Sequence, residues 1–146
     1  MMLAIIRPDG WNGPLLVHVG GAMALVGALV VVLALAAHGW RRGDDAAALA
    51  RPTFRVLALG VLPAYVLMRA GAEWIASEEA VGDEAWVGIG YGVSEAGLLL
   101  ILVATGLAWR TSRRAAGSPG RAVAVIAGVL LVAYLVAIWA MTAKPA

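Results

Sequence analysis

Four long apolar stretches, separated by short polar segments, dominate the pattern of hydrophobic and polar positions along the chain. They lie at roughly 14–38, 56–76, 86–108 and 122–142. Each holds about 21–25 residues, which as an α-helix is long enough to cross about 30 Å of hydrocarbon. The pattern predicts an all-α integral membrane protein with one domain, residues 1–146, folded as an up-down bundle of four transmembrane helices.

The composition fits a chain whose main solvent is lipid. Hydrophobic residues make up 62% of it and charged residues 14%, whereas soluble domains are about 45–50% apolar and about 25% charged. The net charge of +2 is small, and most basic residues flank the predicted spans, so we expect no nucleic-acid partner. The lack of cysteine excludes disulfides, thiolate metal sites and thiol catalysis.

Charged residues between the spans predict the orientation in the membrane. Eight of the eleven basic residues lie between spans one and two or between spans three and four: Arg41, Arg42, Arg51, Arg55, Arg110, Arg113, Arg114 and Arg121. The segment between spans two and three is acidic and carries no basic residue. By the positive-inside rule, the arginine-rich segments are cytoplasmic and both termini are outside.

The first span has a rival interpretation as a cleaved signal peptide, because Leu35, Ala36 and Ala37 are typical of a cleavage site. The apolar run is longer than an ordinary signal core, and the only basic residue before it is Arg7. We therefore expect the first helix to be retained.

Ionisable residues inside spans two and three are the main candidates for a functional site. Arg69 and Glu73 are one helical turn apart in span two, and Glu95 lies in span three. Charges within a membrane span are costly, usually paired and often functional. The span boundaries place Arg69 and Glu95 roughly 3–5 Å outward of the bilayer midplane.

Three further polar residues are predicted to face the same cavity in the outer half of the bundle. Tyr91 precedes Glu95 by one turn, Tyr134 lies at the depth of Arg69, and His18 belongs to span one. We estimate that His18 and Tyr91 lie about 9–12 Å outward of the midplane.

Two interpretations of this polar set stay open. In the first, Arg69 forms an internal salt bridge with Glu95 or Glu73 that fixes helix register. In the second, Arg69 binds an anionic group such as a carboxylate, a haem propionate or a lipid phosphate, while the two glutamates bind a cation or carry protons.

His18 is the candidate metal ligand, because neutral imidazole commonly binds metals. His38 lies twenty positions later on the same helix, roughly 30 Å away, so the two cannot share one haem within a protomer. A haem on His18 needs Met23, a tyrosine, water or a second subunit as its other axial ligand. A metal site formed by His18, Glu73 and Glu95 is a further candidate.

The segment 16–23, Leu-Val-His-Val-Gly-Gly-Ala-Met, resembles the first helix of small bacterial membrane proteins. These are grouped near the CopD-type copper-resistance families and the predicted haem-binding membrane families. The resemblance implies a multi-pass protein of the bacterial inner membrane, with His18 as a haem or copper ligand. Those families usually carry further helix histidines, whereas this chain has no second one at that depth and no Cys or Met cluster for copper.

Three functions are compatible with the sequence. The first is a small membrane protein that binds a cofactor or ligand, with haem the leading candidate. The second is a non-catalytic accessory subunit of a larger respiratory or photosynthetic complex. The third is a small proton-coupled transporter that acts as a homo-oligomer, with Glu95 as its protonatable site. No catalytic motif is present, so we expect no enzymatic activity.

Overall fold

The computed structural model describes residues 12–79, 85–113 and 120–143. This part of the chain is helical at every position except Arg42. A 3₁₀ turn, Gly43–Asp45, links the first two helices, and a π-helical turn, Leu57–Val61, joins the second to the third. The five α-helices are α1 (Asn12–Arg41), α2 (Ala46–Val56), α3 (Leu62–Glu79), α4 (Ala85–Arg113) and α5 (Gly120–Ala143).

Four helical stretches are long and apolar enough to cross a membrane, which confirms the predicted number of spans. They are Gly13–Arg41, Gly43–Glu78, Trp86–Arg113 and Gly120–Ala143. The protein is therefore all-helical over the described residues and is suited to be a multi-pass membrane protein. Its orientation in the membrane stays a prediction.

The helical stretch that contains the second predicted span begins at Gly43, well before residue 56. It continues through Pro52, although proline lacks the N–H group that a helix interior uses. An irregularity follows as the π-helical turn Leu57–Val61, shortly before Pro63. This turn ends eight residues before Arg69.

The core lies along α1, which packs against both α3 and α5. Helix α4 packs on α5 and on α2, but α3 and α4 have very little contact. The largest fully buried side chains are Leu25, Leu29, Leu57, Ile101 and Leu130. Side chains, rather than close backbone approach, therefore connect α3 to α4.

The bundle has two chemically different ends. We call the end where α1 begins and α5 ends the terminus end, and the opposite one the arginine end. Consecutive spans run antiparallel: Gly21 lies against Met68, and Gly39 lies against Ala46 at the arginine end. Helices α4 and α5 are also antiparallel, since Gly90 lies against Met141 and Gly97 lies against Tyr134. These contacts are compatible with the predicted up-down order.

Glycines allow the backbones of α1 and α3 to touch. A Cβ atom on Gly21 would collide with the backbone of Met68, and one on Gly71 would collide with the backbone of His18. Close backbone approach at small residues is a common way to associate helices in lipid. Here α1 and α3 use that contact near the terminus end.

Small residues recur at four-residue spacing on α1 (Gly20, Ala24, Ala28) and on α4 (Gly88, Gly92, Ala96), which makes both sets candidate contact faces within the bundle or between protomers. A Cβ on Gly20, Gly88 or Gly92 would meet nothing within 4 Å. The contacts of α4 involve Gly90 and Gly97 instead, which lie against Met141 and Tyr134 of α5. The surface around Gly88 and Gly92 is consequently open.

Substituting Gly21 or Gly71 by alanine is expected to destabilise the bundle by about 1–3 kcal/mol, because the added methyl group overpacks a backbone contact. Gly20→Ala is the matched control, since its methyl group enters open space on the same helix. Thermal unfolding in detergent, followed by circular dichroism, measures the difference. Equal unfolding midpoints for Gly21→Ala and Gly20→Ala would contradict the assigned α1–α3 contact.

Candidate functional site

Arg69 is the centre of a polar cluster between α3 and α4. Its guanidinium group pairs with Glu73 on its own helix and, through Nη2, with Glu95 Oε1 on α4 at 3.1 Å. The same group lies over the ring of Tyr91, 4.6 Å from the ring centroid. We call Arg69, Glu73, Tyr91 and Glu95 the Arg69 cluster. It brings together four of the six residues predicted for the site.

Helical spacing explains how these side chains meet. Arg69 and Glu73 are four residues apart on α3, and so are Tyr91 and Glu95 on α4. Residues four apart share a helix face, so each helix presents two members of the cluster. The cation of α3 lies between the carboxylates of both helices, as the predicted salt bridge requires.

The cluster lies toward the terminus end of the bundle. Met68, the neighbour of Arg69, packs against Gly21, six residues from the midpoint of the helical stretch Gly13–Arg41. That is roughly 9 Å along the helix. The depth of Arg69 and Glu95 relative to the bilayer midplane stays a prediction.

The charges of the cluster do not balance. One guanidinium group faces two carboxylates, which leaves one net negative charge. The side chain of Arg69 is 26% exposed, whereas those of Glu73 and Glu95 are 55% and 63% exposed. Both carboxylates are thus accessible while the cation between them is already engaged. This geometry disfavours Arg69 as the binding site of an anion and favours the glutamates as the binding site of a cation.

Polar side chains, rather than apolar packing, connect α3 to α4 near the cluster. The hydroxyl group of Tyr65 donates to the backbone carbonyl of Ser94 at 3.3 Å, and Ser94 Oγ donates to the hydroxyl oxygen of Tyr65 at 3.2 Å. Both side chains are buried. Sequence reasoning did not single out Ser94, although its position beside Glu95 within an apolar span was a usable signal.

The surface where α3 and α4 adjoin, from the Tyr65–Ser94 pair to the Arg69 cluster, is called here the α3–α4 cleft. Gly88 and Gly92 are exposed on α4, and a Cβ on either would meet nothing within 4 Å. Gly92 is three residues from Glu95, on the same side of the helix. The carboxylate of Glu95 is therefore reachable from the surface of the bundle.

Tyr134 was predicted to join the site, and no hydrogen bond connects it to the Arg69 cluster. It is 4% exposed, and its hydroxyl group has no hydrogen-bond partner within the described residues. The hydroxyl oxygen would be 2.5 Å from a Cβ on Gly97, so this glycine provides the space that the phenol occupies. Tyr134 therefore belongs to the α4–α5 contact.

His18 lies on a different side of α3. Its Nδ1–H group donates to the backbone carbonyl of Met68 at 2.9 Å, in the contact between α1 and α3. Successive helical residues point about 100° apart, so Met68 faces α1 while Arg69 faces α4. Over the described ranges, no group of three His, Asp or Glu side chains is placed to hold a metal ion. The candidate site of His18, Glu73 and Glu95 is not assembled.

Of the two residues predicted to bind haem at this end of the bundle, only His18 is suited to its role. Histidines that ligate iron usually donate their other ring N–H to a carbonyl or carboxylate, and the bond from His18 to Met68 has this form. It leaves Nε2 available. The expected propionate partner, Arg69, is instead paired with two carboxylates. The residues fit the iron ligand and do not fit the propionate.

Comparison with known proteins finds no matching family model, no similar curated protein and no similar solved structure. The resemblance of the segment 16–23 to CopD-type and haem-binding membrane families therefore stays a prediction. The function has to be inferred from the α3–α4 cleft itself.

Proposed function

We propose that this chain is a small membrane protein that binds a membrane-soluble organic cation in the α3–α4 cleft. The observation that carries the proposal is the excess of carboxylates in the Arg69 cluster. Glu73 and Glu95 share one guanidinium group, and both are more than half exposed. A monovalent cation bound on the exposed sides of these carboxylates would make the cluster electrically neutral.

The cluster already shows how the cleft would recognise such a ligand. The guanidinium group of Arg69 is held by carboxylates on two sides and by the face of the Tyr91 ring. Aromatic rings and carboxylates are the groups that bind organic cations in proteins. A second cation would use the exposed sides of the same two carboxylates, which Arg69 leaves uncovered.

The surroundings of the cleft favour an apolar cation over a metal ion. Leu99 lies one turn from Glu95 and is 66% exposed, and Val66 lies one turn from Arg69 and is 60% exposed. The described side chains include no set of three metal ligands. A ligand with a positive charge and an apolar body would match both the carboxylates and the exposed aliphatic side chains.

A titration with tetraphenylphosphonium tests the proposal on the purified protein in lipid nanodiscs. We expect saturable binding to the wild-type protein and weaker binding by at least about fivefold in Gly92→Leu, because a leucine there occupies the open side of the cleft. Gly20→Leu is the matched control, since it adds the same side chain at another open glycine. Equal affinities for the two variants would exclude the cleft as the binding site.

The other predicted functions stay proposals. Haem on His18 is supported by the bond from Nδ1 to Met68, and a visible spectrum that shifts on reduction and is lost in His18→Ala is its test. Proton-coupled transport with Glu95 as the protonatable site is supported by the accessibility of that carboxylate, and loss of flux in Glu95→Gln is its test. Membership of a larger membrane complex is supported by nothing beyond the sequence.

A further inference from the structure

A second candidate binding site lies at the arginine end, remote from the α3–α4 cleft. A shallow groove there is formed by one face at the end of α1, which carries Ala34, Ala37, His38 and Arg41, and by Arg42, which follows the helix. Ala34 and Ala37, here called its floor, come one to two turns before the two guanidinium groups along the chain. The groove thus combines an apolar surface with adjacent positive charge.

The two arginines of the groove are not neutralised by the protein. Neither Arg41 nor Arg42 has an ion pair within the part of the chain that the structure describes. Asp45 is engaged by Nε2 of His38 at 3.2 Å, on the same helical turn as the arginines. Asp44, the other acidic residue of the 3₁₀ turn Gly43–Asp45, is exposed. The groove therefore keeps two unpaired cations beside its alanine floor.

Other arginines at this end differ in their surroundings. Arg113 lies over the ring of Trp109, and Arg121 lies over the ring of Trp40, at 4.7 Å and 5.4 Å from the ring centroids. Arg51 and Arg55 of α2 are exposed and do not line this groove. Arg41 and Arg42 are distinguished by the apolar floor directly below them.

We infer that this groove binds the headgroup of an anionic phospholipid. Arg41 and Arg42 would donate hydrogen bonds to the phosphate oxygens, and one acyl chain would lie along Ala34 and Ala37. Guanidinium groups bind phosphate through paired N–H donors, and basic pockets at the end of membrane helices are typical sites for anionic lipid headgroups. The alanine floor favours a lipid over free phosphate, because inorganic phosphate has no apolar part to place there.

The test is a titration of the delipidated protein in mild detergent with phosphatidylglycerol, followed by native mass spectrometry. We expect the double variant Arg41→Gln/Arg42→Gln to bind the lipid roughly 10- to 30-fold more weakly. The double variant Arg51→Gln/Arg55→Gln removes the same charge from exposed positions outside the groove and is expected to change binding less than about threefold. Equal losses in the two double variants would overturn the proposal, because they would indicate general charge attraction.

Two further experiments test whether the bound phosphate group belongs to a lipid and whether the alanines of the floor contact its acyl chain. Inorganic phosphate at the same concentration is expected not to displace the lipid, and displacement would overturn the assignment to a lipid. Ala34→Trp fills the exposed part of the floor while leaving both arginines in place. It is expected to weaken lipid binding, and unchanged binding would overturn the proposed acyl-chain contact.

Discussion

Glu95→Gln is expected to lower the affinity for tetraphenylphosphonium roughly 10- to 100-fold. The substitution removes the more exposed of the two carboxylates and leaves the cluster neutral, with Arg69 paired to Glu73 alone. Tetraphenylphosphonium has no hydrogen-bond donor, so its attraction to the carboxylate is electrostatic. Opposite unit charges about 6–10 Å apart attract by roughly 1.5–3 kcal/mol at an effective dielectric constant of about 20, which corresponds to this range of affinity. Because glutamine has nearly the same shape and a neutral pair remains, the fold is expected to survive.

Glu78→Gln is the matched control for this experiment. Glu78 is an exposed carboxylate near the end of α3, and its replacement changes the net charge by the same amount. Binding to this variant is expected to equal that of the wild-type protein within about twofold. If Glu78→Gln and Glu95→Gln weaken binding equally, the attraction is a property of the whole acidic surface and the cleft is not the site.

Arg69→Gln is expected to have the largest effect on stability, lowering the free energy of unfolding by about 2–3 kcal/mol. It leaves Glu73 and Glu95 facing each other across the cleft without the cation that both of them bind. Breaking a fully buried ion pair costs about 3–5 kcal/mol, and the partial exposure of this cluster reduces the cost. Unfolding in detergent, monitored by circular dichroism, measures it.

The control for Arg69→Gln is a double variant that restores part of the charge balance in the cluster. Adding Glu95→Gln to Arg69→Gln removes one of the two unpaired carboxylates, so the double variant is expected to be more stable than Arg69→Gln alone. A structural role of Arg69 that depended on packing alone would give no such rescue. A double variant less stable than the single one would contradict the electrostatic account.

The sequence predicted the spans and the ion pair for physical reasons that act locally. Long apolar stretches must be helical in lipid, since every backbone polar group has to be hydrogen-bonded within its own segment. A charge such as Arg69 needs a partner at similar depth, and the spacing to Glu73 together with the position of Glu95 left few choices. These arguments do not depend on how the helices are rotated.

The sequence could not predict in the same way which face of each helix packs against its neighbours. The helices are apolar on all sides, because one side faces lipid and the other faces the core, so no amphipathic period identifies the packed face. This is why the sequence alone could not decide which of the neighbouring glycines, Gly20 or Gly21, contacts α3; the structure assigns the contact to Gly21. It also explains why Tyr134 and His18 do not join the Arg69 cluster. Tyr134 instead lies against Gly97 in the α4–α5 contact, and His18 bonds to Met68 in the α1–α3 contact.

Comparison of tetraphenylphosphonium with tetraphenylborate tests the central claim most directly. The two ions have nearly the same size and shape and opposite charges, so a difference in protein binding reports the sign of the charge that the cleft accepts. The measurement is equilibrium binding to wild-type protein in nanodiscs, with binding to empty nanodiscs subtracted. The two ions are titrated separately, because together they form an ion pair. The account predicts saturable binding of the cation and no saturable binding of the anion. Saturable binding of the anion, or no saturable binding of the cation, would contradict it.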